Sequence, residues 1–275
     1  MVIDFHTHVF PDKIADITIS TLSKNGGIPA HSNGKLEGLV CSMENGGVDI
    51  SVNLPVVTSP RQMDSIFNFA KGINEGICAQ GKVISFCGIH PGVENCEEWL
   101  EKIKASGFLG VKVHPDYQGT FFDDPSYIRI FKKAKELGLI TVTHAGFDGA
   151  YVGQEIKCTP VRVLRALDML GGYDKLVLAH LGGNELYDQV YNELAGENVY
   201  LDTSYVLPFL TREQFEKMVE KHGENKILFA TDSPWQDQGE MVRILKSYNL
   251  GKAENKILCE NAKKLLKIGS VTSPD

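Results

Sequence analysis

The feature that most constrains this 275-residue chain is an alternation of short Val-, Ile- and Leu-rich runs with longer segments of helical period. Eight such runs can be read: VIDFH (2–6), ISVNLP (50–55), VISFCGI (83–89), LGVKV (109–113), ITVTH (140–144), KLVLAH (175–180), NVYLDTS (198–204) and KILFATD (226–232). Runs this short and this apolar are what a parallel sheet buried on both faces requires. Helical candidates lie between them near 36–47, 60–80, 94–106, 125–138, 159–171, 184–195, 211–222 and 237–249, and a final amphipathic helix covers about 253–268. Segments 23–35 and the tail after Ile268 read as loop. A doubly wound open sheet has the same alternation. No Gly-rich phosphate fingerprint follows the first run, however, and polar residues end nearly every run, which favours one (β/α)8 TIM barrel with an additional C-terminal helix, residues 1–275 forming a single α/β domain.

Charge and composition narrow the function. The formal net charge is −7 and no basic stripe is present, so no nucleic-acid partner is expected. MVIDFHTH has neither a cationic leader nor an apolar core, and no later stretch approaches a membrane span, so a cytoplasmic protein without a membrane partner is expected. The six cysteines, at 41, 78, 87, 96, 158 and 259, form no CxxC pair and read as reduced core residues.

The chemistry concentrates where the runs end. His6-Thr7-His8 closes the first run, and alternate strand residues share a face, so two imidazoles can reach one cation. Six of the eight histidines, His6, His8, His90, His114, His144 and His180, stand at or just after the end of a run. Asp232 ends the eighth run in FATDSP. In a closed barrel that strand lies beside the first, so the carboxylate can join His6 and His8 as a ligand, although an Asp before Ser-Pro also suits a helix cap. His90 and His114, each before a Pro, either line the pocket or open loops. Tyr205, Trp235 and Glu155 fall at the same rim, His31 sits in the loop after the first run, and His222 in EKHGE reads as a cation at a helix C-terminus.

The pieces IDFHTHVFP, GVKVHP, VTHAG, LVLAHLGG, YLDTS, FATDSPW and ILCENAKKLL, in this order, span almost the whole chain. The chain thereby resembles the amidohydrolase superfamily, in the amidohydrolase-related branch of TIM-barrel metal-dependent hydrolases that includes aminocarboxymuconate-semialdehyde decarboxylase. The resemblance implies His6, His8, His144 and Asp232 as ligands of one divalent ion, Zn²⁺ first, with Mn²⁺ or Fe²⁺ as replacements. It implies Asp232 and His180 as the catalytic pair. Lys112 falls where binuclear relatives place a bridging carboxylated Lys or Glu. A bare ammonium is a poor neighbour for a cation, so Lys112 is assigned with His114 to the substrate. The expected activity is hydrolysis of an ester, lactone or amide of a small carboxylate-bearing molecule, by a monomer or homodimer, with non-oxidative decarboxylation of a small cyclic or unsaturated acid as the alternative. Hydrolysis is placed first because decarboxylases of the branch tend to be longer, with extra helices over the barrel mouth.

Overall fold

A computed structural model of the chain describes residues 1–76 and 81–269. All eight apolar runs contain strand. The strands are β1 (Ile3–Thr7), β2 (Ile50–Asn53), β3 (Val83–Ser85), β4 (Cys87–Gly88), β5 (Gly110–Val113), β6 (Ile140–Thr143), β7 (Leu176–Leu178), β8 (Tyr200–Asp202) and β9 (Ile227–Leu228). Run 83–89 yields two of them because it changes partner at Phe86. β3 pairs with β2 and β4 with β5, while the Phe86 amide donates to the Asn53 carbonyl at 2.9 Å. Every pairing is parallel, in the orders β1-β2-β3 and β4-β5-β6-β7-β8-β9. Hydrogen bonds also run from the last strand back to the first. Phe5 N–H donates to Phe229 O and Asp232 N–H to His6 O, each at 2.9 Å, and Thr7 forms a parallel bridge with Ser233.

The strands are buried on both faces because each face has a cover. Val111, Val113, Leu176, Leu178 and Leu201 pack with the helices in one cluster, whereas Phe5, Val52, Phe86, Val142, Val177 and Leu228 form a second with one another. Cys259, Ala262, Leu265 and Leu266, from the last helical segment, join this second cluster. Burying each such large side chain contributes roughly 1.5–3 kcal/mol. Polar side chains of the same parity, Lys112 on β5 above all, are thereby left for the carboxyl ends of the strands.

The expected helices form with shifted ends. Asp124 caps Pro125–Glu136 by accepting from Ser126 N–H at 2.8 Å, Thr211 and Gln214 make a capping box at Arg212–His222, and Asp237 caps Gln238–Ser247. The segment expected as a helix at 184–195 is one turn, Tyr187–Gln189, followed by a π-helical turn, Val190–Leu194. One element was not expected: a 15-residue helix, Asp12–Gly26, absorbs the start of what read as a loop. Cys87, Cys96, Cys158 and Cys259 are buried and free, Cys41 is free but exposed, and Cys78 lies outside the described residues, as does the tail from 270. Among the described residues no helix is long and apolar enough to cross a membrane.

Candidate metal centre and active site

β1 delivers its two histidines by breaking alternation rather than by following it. Ile3 and Phe5 belong to the inner cluster and Asp4 points the other way, into a nest where it accepts from Thr231 Oγ1 at 2.6 Å and Gln238 Nε2 at 2.7 Å. Strict alternation would send His6 after Asp4. Instead the β1–β2 register shifts between Asp4 and Thr7, a bulge that re-aims the strand by one residue and brings His6 and His8 to the inner face. Burial pushes the Asp4 carboxyl up to about 7, against the pull of its Thr231 and Gln238 hydrogen bonds.

The protons at this end of β1 can be assigned from the partners. His6 Nδ1–H donates to Asp202 Oδ2 at 2.9 Å, and His8 Nδ1–H donates to the Leu54 carbonyl at 2.9 Å. Both Nε2 atoms therefore carry lone pairs, yet they stand 3.2 Å apart. Asp232 Oδ1 lies 3.1 Å from His8 Nε2 and 3.4 Å from His6 Nε2. Three acceptors converge with no proton between them, an arrangement that repels itself unless positive charge is placed at its centre. The donor set of two imidazole nitrogens and one carboxylate oxygen fits a divalent transition metal. Lys112 Nζ, 3.1 Å from His6 Nε2, is the one cationic group touching the cluster among the described residues.

Electrostatics follow from burial. The His6 imidazole is held well below its ordinary value by burial and then by Lys112, so it stays neutral, the form in which it can act as a ligand. Lys112 is pushed down to about 8 by burial, opposed by Asp202 and Asp232. Burial by itself pushes the Asp232 carboxyl up; positive charge placed among His8, His6 and His180 outweighs burial and draws the carboxyl down to about 2.

His144, at the end of β6, does not join this group directly. Its Nδ1 meets His180 Nε2 at 3.0 Å, and the His180 ring centre is 5.6 Å from that of His6. The outer nitrogen, His144 Nε2, faces Asp116 Oδ2 at 3.9 Å, and neither atom has a hydrogen-bond partner among the described residues although both are buried. Ligand atoms of His6, His8 and Asp232 lie within 4.8 Å of one another, and those of His114, His144 and Asp148 form a second such group. His180 donates from Nδ1 to Ser204 O at 3.0 Å, leaving Nε2 toward the cluster.

The other candidates divide. His114 is stacked on both faces, by Tyr117 at 3.9 Å and His144 at 4.2 Å, and its Nδ1 accepts from Tyr117 N–H; only the Nε2 edge, 3.5 Å from Asp148 Oδ2, is open. Tyr205 sits edge-on to His180 with ring centres 6.5 Å apart. Trp235 is half-buried beside Asp232, whose carbonyl accepts its N–H. Glu155 pairs with Arg162 on the surface, His90 accepts from Gly92 N–H in its own turn, and His31 is placed by a backbone bond to Pro234 O. His222 is not a C-terminal cation: Nδ1 accepts from Gly196 N–H while Nε2 donates to Val199 O, and burial brings it down to about 4. Sequence reasoning missed Asp202, Asp116 and Asp148. Only Asp202 carried a signal, its place in YLDTS at the end of a strand.

The amidohydrolase family model matches residues 78–268. Among curated protein sequences none matches. Solved structures that superpose include a dihydroxybenzoic acid decarboxylase from Polaromonas sp. JS666 with bound manganese and the inhibitor 2-nitroresorcinol (TM-score 0.72, 15% identity, 97% of this chain and 96% of that one). A 5-carboxyvanillate decarboxylase from Sphingomonas paucimobilis superposes at TM-score 0.70 and 15% identity, over 97% of this chain and 98% of that one. An uncharacterised TIM-barrel protein from Bordetella bronchiseptica gives 0.74 and 16%, over 97% and 98%. The family match spans more than half of the chain and includes GVKVHP, VTHAG, LVLAHLGG, YLDTS and FATDSPW, and the chain belongs to the amidohydrolase family.

Proposed function

We propose that this protein is a metal-dependent, non-oxidative decarboxylase of a small cyclic or unsaturated carboxylic acid, built as one (β/α)8 barrel over residues 1–275 with a C-terminal helix across one end. The observation that carries the reading is the convergence of His6 Nε2, His8 Nε2 and Asp232 Oδ1 beside a single buried ammonium, Lys112. The return of the hydrogen-bond ladder to β1 supports the barrel. The expectation of ester, lactone or amide hydrolysis is corrected. It leaned on chain length, yet the superposition extends over 96% and 98% of two decarboxylase chains, so length does not separate the classes, and the named neighbours act on aromatic acids.

His6, His8, His144 and Asp232 would hold one divalent ion, His144 through the nitrogen on its His180 side. Manganese, the ion of the Polaromonas structure, and zinc both suit this donor set. Bound there, the ion supplies positive charge that stabilises anionic oxygens of the substrate. Lys112 pairs with the carboxylate, and the open Nε2 edge of His114 donates to a second oxygen. Tyr117 and Tyr151, ring centres 5.6 Å apart, continue the aromatic wall from His114. As the bond to the carboxyl carbon breaks, its electron pair stays on the substrate carbon and CO₂ departs; His180, holding its Nδ1–H on Ser204 O, would take one solvent proton on Nε2 and pass it to that carbon.

The test is a panel of dihydroxybenzoates, 5-carboxyvanillate, esters, lactones and amides incubated with Mn²⁺-loaded protein in D₂O containing H₂¹⁸O. Release of CO₂ with one deuterium on the former carboxyl-bearing carbon is expected. Entry of ¹⁸O into a product without CO₂ would contradict the proposal.

A further inference from the structure

We infer that Asp202 is a positioning residue that locks His6 and the His180 turn into one unit, so that a single carboxylate at the end of β8 sets both the metal affinity of β1 and the aim of the proton donor. The inference rests on the proposed metal role of His6. Asp202 is fully buried, and each of its oxygens is committed. Oδ2 accepts from His6 Nδ1 at 2.9 Å, and Oδ1 accepts from the backbone N–H of His180 and of Ser204, each at 3.0 Å, and from Ser204 Oγ.

Two consequences follow from these contacts. Toward β1, a carboxylate on Nδ1 fixes the tautomer, since the proton is held on the outer nitrogen and the Nε2 lone pair is turned to the cluster. Lys112 Nζ approaches that same Nε2 from the other side, as a donor facing a lone pair should. Toward β7, Asp202 holds a turn that the chain would otherwise leave. His180 and Leu181 have φ of 58° and 51°, left-handed values that non-glycine residues seldom adopt and that persist only where surrounding bonds enforce them. Ser204 completes the clamp, its carbonyl taking His180 Nδ1–H at 3.0 Å.

The test measures Mn²⁺ affinity of the full chain by chelator competition, together with ¹⁵N-histidine NMR of the metal-free protein. Asp202→Asn removes the anion at constant shape and should weaken Mn²⁺ binding about 10–100-fold, with loss of the Nδ1-protonated signal of His6. Ser204→Ala leaves the His6 acceptor in place and should shift the His180 signals with Mn²⁺ affinity unchanged. Unchanged affinity in Asp202→Asn, while His6→Ala loses Mn²⁺, overturns the role of Asp202 alone. Full affinity in His6→Ala overturns the metal reading and this inference with it. Should Asp202→Asn fail to fold, the wild-type spectrum decides, since a metal-free His6 protonated at Nε2 instead of Nδ1 refutes the lock.

Discussion

His6 and His8 are legible in the sequence as a pair, and Asp232 as their partner, because strand ends and the order of strands can be read from hydropathy. The bulge that turns both imidazoles inward cannot be read, since it depends on how β1 registers against β2. Asp202 stayed silent for a similar reason: a carboxylate at a strand end becomes informative only when the atoms it accepts from are known. Asp232 closes the acceptor triangle, so Asp232→Asn should keep the barrel folded and lower turnover by at least about 10²-fold, checked by steady-state kinetics beside circular dichroism. His222 gives a prediction about acid stability. Its folded value of about 4 lies below the ordinary 6.5, so between these values the unfolded chain binds more protons. The neutral ring therefore stabilises the fold above about pH 6.5, and that contribution, up to about 3 kcal/mol at 1.36 kcal/mol per unit, is lost as pH falls toward 4. Urea midpoints across this window should fall more steeply for wild type than for His222→Gln; parallel curves would show that His222 titrates normally.

At the scale of elements, the eight runs that carry the nine strands were readable because both faces of each are covered, leaving short stretches rich in Val, Ile and Leu. Helix Asp12–Gly26 was not, because it buries only Ala15 fully and leaves Ile14 and Ile17 exposed, so its sequence lacks the stripe that marks a core-facing helix. The turn at 184–195 was misread as a regular helix because a π-helical turn keeps nearly helical spacing. Placement of His144 against His180 depends on a backbone seam beyond β6 and β7. Gly146 forms a parallel bridge with Asn184, and Asn184 N–H donates to Ala145 O at 2.9 Å. A Cβ on Gly146, whose φ is 87°, would lie 2.1 Å from Asn184 N, whereas at Gly153, with φ of 78°, it would meet nothing within 4 Å. Gly146→Ala should therefore cost more stability than Gly153→Ala, about 3 kcal/mol or more against about 1, and should also lower turnover. Equal melting temperatures for the two variants would show that the seam yields freely.

For the molecule as a whole, the motif order led to the right family, but not to the reaction proposed here. Ligands for water activation and for carboxylate stabilisation are the same residues, so the distinction depends on what faces them, here a buried ammonium and an aromatic wall. A bound ion would also tie β1, β6 and the segment after β9 together. At a free concentration one hundred times Kd, Mn²⁺ should stabilise the native chain by about 2.7 kcal/mol, seen as a rise in melting temperature that chelator reverses. The most direct test of the account is the metal content of the full chain purified without chelator, measured by elemental analysis for wild type, His6→Ala and Asp232→Asn. One divalent equivalent per wild-type chain, falling well below one in both variants, is the predicted result. Two equivalents in the wild type, or a full equivalent retained by both variants, would contradict it.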